Sequence, residues 1–376
     1  MKFRVERDVL AEAVAWVARS LPTRPPVPVL AGLLLEADDR TLTLSGFDYE
    51  VSARVEVSAD VGSPGRALVS GRLLADITRS LPQAAVEVVL DAGKVVVNCG
   101  KARFSLLTLP VDDYPALPAM PSASGTAPAE LFAAAVSQVA IAAGRDDTLP
   151  VLTGVRVEIE GDTITLAATD RYRLAVREFP WSPQRPDSAA IALVPARTLS
   201  DTAKALAAGN EVTIALSSGP GSEGLIGFES GGRRTTSRLL DGEFPKYRAL
   251  LPTESSVVAS LDTAALMETV RRVSLVAERN TPVRLAFRAG EVTLEAGTGD
   301  EAQALETLDA RVDGDDITIA FNPAYLLDGL GAIDAPVAHL SFTAPTRPAI
   351  LSGRVDAQDS EPGDYRYLLM PVRLSG

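Results

Sequence analysis

The chain has 376 residues, 46% of them hydrophobic, and a formal net charge of −13. That length exceeds one ordinary core and suits two or three domains, while the excess of acid excludes a protein that adheres to nucleic acid over its whole surface, because long-range repulsion opposes the phosphates. One cysteine, Cys99, and one histidine, His339, exclude an internal disulfide framework and argue against a zinc site of the usual ligands.

Met1-Lys2-Phe3-Arg4-Val5-Glu6-Arg7-Asp8 carries charge where a signal peptide needs an apolar run, and no later stretch is long enough to span a bilayer. A cytoplasmic protein without a membrane partner is expected. Leu10, Val14, Val17 and Leu21 then keep the i, i+4, i+7, i+11 spacing of one helical face. A Pro-rich stretch holding Arg24 leads to Pro28-Val29-Leu30-Ala31-Gly32, and the alternation Thr41-Leu42-Thr43-Leu44 predicts a strand with Asp48 beyond it. A second helix is read from Leu74-x-Asp76 and Leu81, with Ser70 as its N-cap. The run Val95-Val96-Val97-Asn98-Cys99 predicts a strand whose cysteine is a buried thiol and not a nucleophile. Asp113-Tyr114-Pro115 closes this stretch.

These elements recur. Pro150-Val151-Leu152-Thr153-Gly154 and Thr163-Ile164-Thr165-Leu166 repeat the earlier motifs at a shift of 122 (150 − 28 and 163 − 41), and Asp170 matches Asp48. The helical stripe returns as Phe132, Val136, Val139, Ala143 and again as Leu266, Val270, Val273, Ala277. The second helix returns as Leu199-x-Asp201 with Leu206, behind Pro195 in a first turn, and as Leu326-x-Asp328 with Ile333, behind the cap and proline Asn322-Pro323. A weaker echo of the strands starts at Pro282-Val283 and continues in Val292-Thr293-Leu294. Each copy reads helix, strands, helix, strands, and the second closes on Glu243-Phe244-Pro245. Turn-forming residues put linkers near 118–128 and 252–256. A period far longer than that of solenoid repeats makes each copy a domain with its own core, and the divisions expected are 1–120, 121–253 and 254–376.

No catalytic constellation is visible. The stretch Ser217-Ser218-Gly219-Pro220-Gly221-Ser222-Glu223-Gly224 lacks the lysine of a phosphate loop and reads as a hairpin connection. His339, between Ala338 and Leu340, reads as structural. Asp146-Asp147 and Asp313-Gly314-Asp315-Asp316 look like turns and lack the spacing of a calcium loop. No catalytic residue, metal or cofactor is assigned. A carboxylate pair working as a hydrolase in a cleft is the alternative that composition leaves open.

The basic residues are more informative. Arg72 and Arg79 lie seven apart, and Arg197 and Lys204 hold the same sites in the second copy at a shift of 125 (197 − 72 and 204 − 79), which also relates Asp76 to Asp201. They precede Leu74 and Leu81 by two, roughly 200° round a helix, so the cations point away from the core. An ordinary amphipathic surface helix explains one such pair; repetition on an acidic chain favours local contact with a polyanion. The third copy has Ala324 and Gly331 at these sites, while Arg271, Arg272 and Arg279 on its first helix supply charge. Arg24 and Arg145, at equivalent points of the first two copies, form a further pair.

With the threefold repeat, the start Met1-Lys2-Phe3-Arg4-Val5-Glu6-Arg7, the run Ala168-Thr169-Asp170-Arg171-Tyr172-Arg173-Leu174-Ala175, and the motifs Leu240-Asp241-Gly242-Glu243-Phe244-Pro245-Lys246-Tyr247 and Tyr367-Leu368-Leu369-Met370-Pro371-Val372-Arg373-Leu374, the whole chain resembles the bacterial DNA polymerase sliding clamp, the β subunit. That resemblance implies an α+β fold of three tandem clamp domains, each with two helices on an inner face packed on antiparallel sheets of an outer face, and a ring closed by a homodimer around duplex DNA. It implies a processivity factor and not an enzyme, with Arg24, Arg72, Arg79, Arg145, Arg197, Lys204, Arg271, Arg272 and Arg279 facing DNA without reading its sequence.

The resemblance further implies a pocket between the second and third domains for short linear motifs of DNA polymerase subunits, the clamp loader and repair proteins. Its residues here would be Leu152, Thr169, Tyr172, Arg173, Leu174, Pro245, Leu250, Asn322, Tyr325, Pro348, Met370, Pro371, Val372 and Arg373. Phe104 and Leu106 would meet Leu275 of the partner subunit across the dimer seam. Ala249 stands where some relatives have an arginine, and Ser375-Gly376 extend past the usual ending. A paralogous clamp with an altered pocket, conferring resistance to an inhibitor, is the alternative within the same family.

Overall fold

A computed structural model describes residues 1–217, 224–277, 281–297, 302–356 and 363–373. The helical stripes of the sequence become α1 (Arg7–Ala18), α2 (Gly71–Ser80), α3 (Ala129–Ala140), α4 (Ala196–Leu206), α5 (Thr263–Val273) and α6 (Pro323–Gly331). Leu10, Val14, Val17 and Leu21 are buried, as are Phe132, Val136, Val139 and Ala143, and Leu266, Val270 and Val273; only Ala277, past the end of α5, is half-buried. Leu74, Leu199 and Leu326 are likewise buried.

Helix ends follow local chemistry. Asn322 Oδ1 accepts from the N–H groups of Ala324 and Tyr325 (3.0 and 3.3 Å), with Pro323 in the first turn, and Asp262 caps α5 through Ala265 N–H at 2.7 Å. Ser70 takes the N-cap position of α2 without lending its side chain, and Pro195 ends a strand immediately before α4. The last turn of α2 is closed instead by Arg7, whose guanidinium donates to the Arg79 carbonyl at 2.6 Å.

The described chain forms two compact units, the first made of Met1–Phe132, Ser182–Pro186 and Asp201–Leu239, the second of Ala133–Trp181, Asp187–Ser200 and the chain from Leu240. The middle copy is shared because each of its sheets continues into a neighbouring copy. In the first unit a fourteen-stranded sheet pairs Arg233–Arg238 antiparallel with Val51–Ser58, bringing Thr236 opposite Ser52, whose hydroxyls share a buried hydrogen bond of 2.5 Å. In the second a nine-stranded sheet pairs Arg173–Pro180 with Tyr365–Leu369, and a four-stranded sheet has Ala304–Asp309 at its edge. Leu10, Val14, Val17 and Leu74 pack with Leu33, Leu35, Leu42, Leu44 and Val55 in the first unit's core.

Strand Ala123–Pro128 falls where a linker was expected, so that linker shortens toward 114–122, whereas 252–256 is irregular as read. Cys99 is buried at the end of Lys94–Cys99, its Sγ 3.2 Å from the Pro82 carbonyl oxygen. His339, on Val337–Phe342, sits half-buried with Nδ1 3.3 Å from Ser260 Oγ. Residues 218–223 of the Gly-rich connection lie outside the described residues, while the strands on either side, Glu211–Leu216 and Leu225–Ser230, pair antiparallel.

Candidate functional site

The first two copies build the same turn after their third strand. Asp48 Oδ1 accepts from Glu50 N–H (3.0 Å) and Val51 N–H (2.7 Å); Asp170 Oδ1 accepts from Tyr172 N–H and Arg173 N–H, both at 3.1 Å. These Asx turns hold the next residue, Tyr49 or Arg171, at φ of 76° or 79°. In the second copy the turn forms one wall of a cavity of about 620 Å³.

Arg173 organises that cavity. Its guanidinium is buried, donates to Asp170 Oδ2 at 3.0 Å and to Asp328 Oδ2 on α6, and lies 3.4 Å from Tyr367 Oη. Burial opposes the charge, but Asp328 and the other partners outweigh it and hold the group above the ordinary arginine value. The Arg173 guanidinium also lies 4.4 Å from the centroid of the Tyr325 ring, on which Tyr172 stacks at 6.2 Å. Tyr367 Oη donates to the Tyr325 carbonyl at 2.8 Å, and burial pushes its phenol well above the usual value. Gly329 permits this approach of α6: a Cβ there would meet the Tyr367 ring at 2.5 Å.

Leu152, Tyr172, Arg173 and Tyr325 of the expected pocket line this cavity. Thr169 and Leu174 are buried beneath it, Leu174 packing with Phe244 and Tyr247, and Thr169 Oγ1 donating to the Arg173 carbonyl at 2.7 Å. Asn322 serves as the cap of α6. Met370 and Val372 are exposed, tethered by N–H bonds to the carbonyls of Tyr172 (2.9 Å) and Ala320 (2.8 Å). Leu250 is exposed on the short helix Tyr247–Leu250, Pro245, Pro348 and Pro371 are half-buried, and Arg373 is exposed. Sequence reasoning missed Leu149, Asp170, Arg171 and Asp328 as cavity residues. Asp170 and Asp328 were within reach, since both keep register with acids of other copies.

Among the residues expected to face DNA, Arg72, Arg79, Arg197 and Lys204 are exposed on the faces of α2 and α4 opposite buried Leu74 and Leu199. Arg72 donates to the Pro22 carbonyl at 3.2 Å, and Arg79 lies 3.7 Å from Asp76. Arg24 and Arg271 are exposed. Arg272 is engaged by Glu306 at 2.6 Å and Glu268 at 3.7 Å, so its charge is largely offset locally. Arg145 lies in the cavity wall, and Arg279 lies outside the described residues. No cluster of three or more His, Cys, Asp or Glu side chains suited to a metal occurs among the described residues, and no helix there is long and apolar enough to cross a membrane.

Phe104 is exposed and Leu275 is 84% exposed, but Leu106, expected beside them at a seam, is turned into the core with Val95 opposite it; the exposed neighbour is Leu107. Among the described residues, strand Ala102–Leu109 pairs along one side with Lys94–Cys99 and on the other only through Thr108 and Leu109. Among the described residues its 103–107 edge is thus open, as is that of Ala304–Asp309. Open edges of this kind are templates for pairing with another chain.

Three family models cover the chain: DNA polymerase III beta subunit, N-terminal domain, at residues 1–118; central domain at 126–246; and C-terminal domain at 248–373. The chain is 66% identical to the Beta sliding clamp of Streptomyces coelicolor across all of both chains, and 48% identical to the Beta sliding clamp homolog GriR of Streptomyces muensis across 99% of each. A crystal structure of the DNA polymerase sliding clamp from Bacillus subtilis superposes with a TM-score of 0.92 at 26% identity, covering all of both chains. With the helix pairs, the sheets and the sequence matched from end to end, this chain belongs to the family of the DNA polymerase III β subunit, the bacterial sliding clamp.

Proposed function

We propose that the protein is a cytoplasmic DNA sliding clamp: two copies joined head to tail encircle duplex DNA and tether the replicative polymerase, conferring processivity without chemistry of their own. The observation that carries this is the duplicated cation pair. Arg72, Arg79, Arg197 and Lys204 stand exposed on helices whose opposite faces are buried, on a chain of net charge −13. Such side chains meet phosphates, which carry no sequence information and exchange easily along a duplex. The acidic remainder discourages lateral adhesion, so retention is topological. Exposed Arg24 and Arg271 add to these cations, the resemblance assigns Arg279 the same role, Arg272 contributes less because two glutamates occupy it, and we assign Arg145 to the cavity.

The functional divisions are the three domains 1–120, 121–253 and 254–376. At the seam, Phe104 and Leu107 meet Leu275 of the partner subunit, and the open strand edges pair, giving a closed head-to-tail ring. The cavity around Tyr172, Arg173 and Tyr325, together with exposed Leu250, Met370 and Val372, receives short linear motifs of polymerase subunits, the clamp loader and repair proteins as extended peptides with one or two apolar anchors. The test is retention. Loaded with its loader and ATP, the protein is expected to stay on closed circular DNA and to run off linear DNA; equal retention on both refutes the proposal. Likeness to GriR at 48% identity supports a second reading, a paralogue with an altered pocket, but the 66% match to a Beta sliding clamp favours the first.

A further inference from the structure

The Asx turn at Asp170 places Arg171 at φ 79°, a left-handed conformation that glycine adopts freely and an L-residue only at a cost of about 1–2 kcal/mol. Glycine would close the same turn without that cost. The chain instead sets an exposed guanidinium there, in the wall of the cavity. Among the described residues the Arg171 side chain makes no hydrogen bond or ion pair, and neither does that of Arg145 in the same wall. The cavity's carboxylates are already engaged. Asp170 and Asp328 hold Arg173, and Asp146 accepts from the Thr148 N–H at 3.0 Å and its hydroxyl at 2.6 Å, close enough for its charge to act on Arg171 without an ion pair. Beside the two uncommitted cations lie the apolar surfaces of Leu149, Leu152 and Tyr172.

We infer that Arg171 is a specificity residue of this cavity: among short peptides whose apolar anchor lodges against Leu149, Leu152 and Tyr172, it selects those carrying a carboxylate beside the anchor. The inference rests on the cavity being the peptide pocket. A guanidinium with both N–H edges free takes a carboxylate bidentately, a geometry that an ammonium cannot match, and Arg145 adds a second cation near the same spot. Asp146 limits the gain by offsetting part of the field. The carboxylate is either an Asp or Glu side chain or the free end of the peptide, since both offer the same two oxygens.

The test uses the full-length protein and fluorescence anisotropy with three labelled peptides of one apolar-anchored sequence. One has Asp beside the anchor and an amidated end, one has Asn and an amidated end, and one has Asn and a free terminal carboxylate. At low salt at least one acidic peptide is expected to bind roughly fivefold more tightly than the neutral one, the worth of a partly exposed ion pair, with the ratio falling toward one in about 1 M salt. Which acidic peptide shows the preference identifies the source of the carboxylate. Arg171→Gly, which the turn accepts without strain, is expected to bring the ratio near one, and Arg171→Lys to keep part of it. Binding of the neutral peptide without any preference for its acidic partners overturns this inference alone, as does a preference that survives Arg171→Gly. Absence of binding by all three overturns the pocket assignment itself.

Discussion

Glu158 is only 2% exposed on the strand Gly154–Glu160, yet Arg156 Nε at 2.5 Å, Arg248 at 2.6 Å and Tyr247 Oη at 2.8 Å surround its carboxylate. Burial pushes its pKa up, but the hydrogen bonds from Arg156 and Tyr247 and the nearby charges outweigh burial and leave it below the ordinary value of 4.5. A folded value lower than the unfolded one means stability that is fully present above pH 4.5 and lost as pH falls through the lowered value. Glu158→Gln is therefore expected to cost about 1–3 kcal/mol at about pH 7, measured by urea denaturation, and the gap from the parent protein should close in acid. The same carboxylate fixes the short helix carrying Leu250, so this variant should also weaken binding of an apolar-anchored peptide, read by anisotropy.

The two faces of helix α2 let the core and the proposed DNA contact be tested separately. Leu74→Ala empties a core position and is expected to cost about 2–5 kcal/mol in urea denaturation, whereas Arg72→Ala, on the exposed face, should change stability by less than about 0.5 kcal/mol. The arginine variant should instead lower the salt slope of DNA association by about one for each phosphate it no longer neutralises. Asn322→Ala, which removes the cap of α6, is expected to cost about 1 kcal/mol. Such elements were legible because a 3.6-residue period is local: the stripes of α1, α3 and α5 name their own buried faces. Strand Ala123–Pro128 was not, since Ala-Ser-Gly-Thr-Ala-Pro has no apolar alternation and becomes a strand by pairing with Glu211–Leu216 on one side and Ser182–Pro183 on the other. The cavity divides the same way. Tyr172 and Arg173 were assigned to the pocket from their motif and Arg171, in the same run, was not, because the role proposed for it depends on a backbone angle and on a guanidinium uncommitted among the described residues, which no spacing encodes.

Two copies of a 39.5 kDa chain should sediment at about twice that mass. Phe104→Glu or Leu275→Asp, placing charge on exposed apolar residues proposed for the seam, is expected to shift sedimentation equilibrium toward the single-chain mass without unfolding the chain, as checked by an unchanged circular dichroism melt; an intact dimer in both variants would remove these side chains from the seam. Leu106→Glu should fail differently, by unfolding the first unit, because that side chain lies in the core. The paired aspartate turns carry one further consequence for the molecule. A left-handed bend costs an L-residue about 1–2 kcal/mol, whereas each hydrogen bond to an ionised acceptor contributes about 1.5–3 kcal/mol, so two such bonds to Asp48 or Asp170 hold the bend whatever side chain occupies its apex. Tyr49 and Arg171 thus mark a position where gene duplication left chemistry free to diverge at constant backbone, so that sister copies of one scaffold display unlike lettering at the same address.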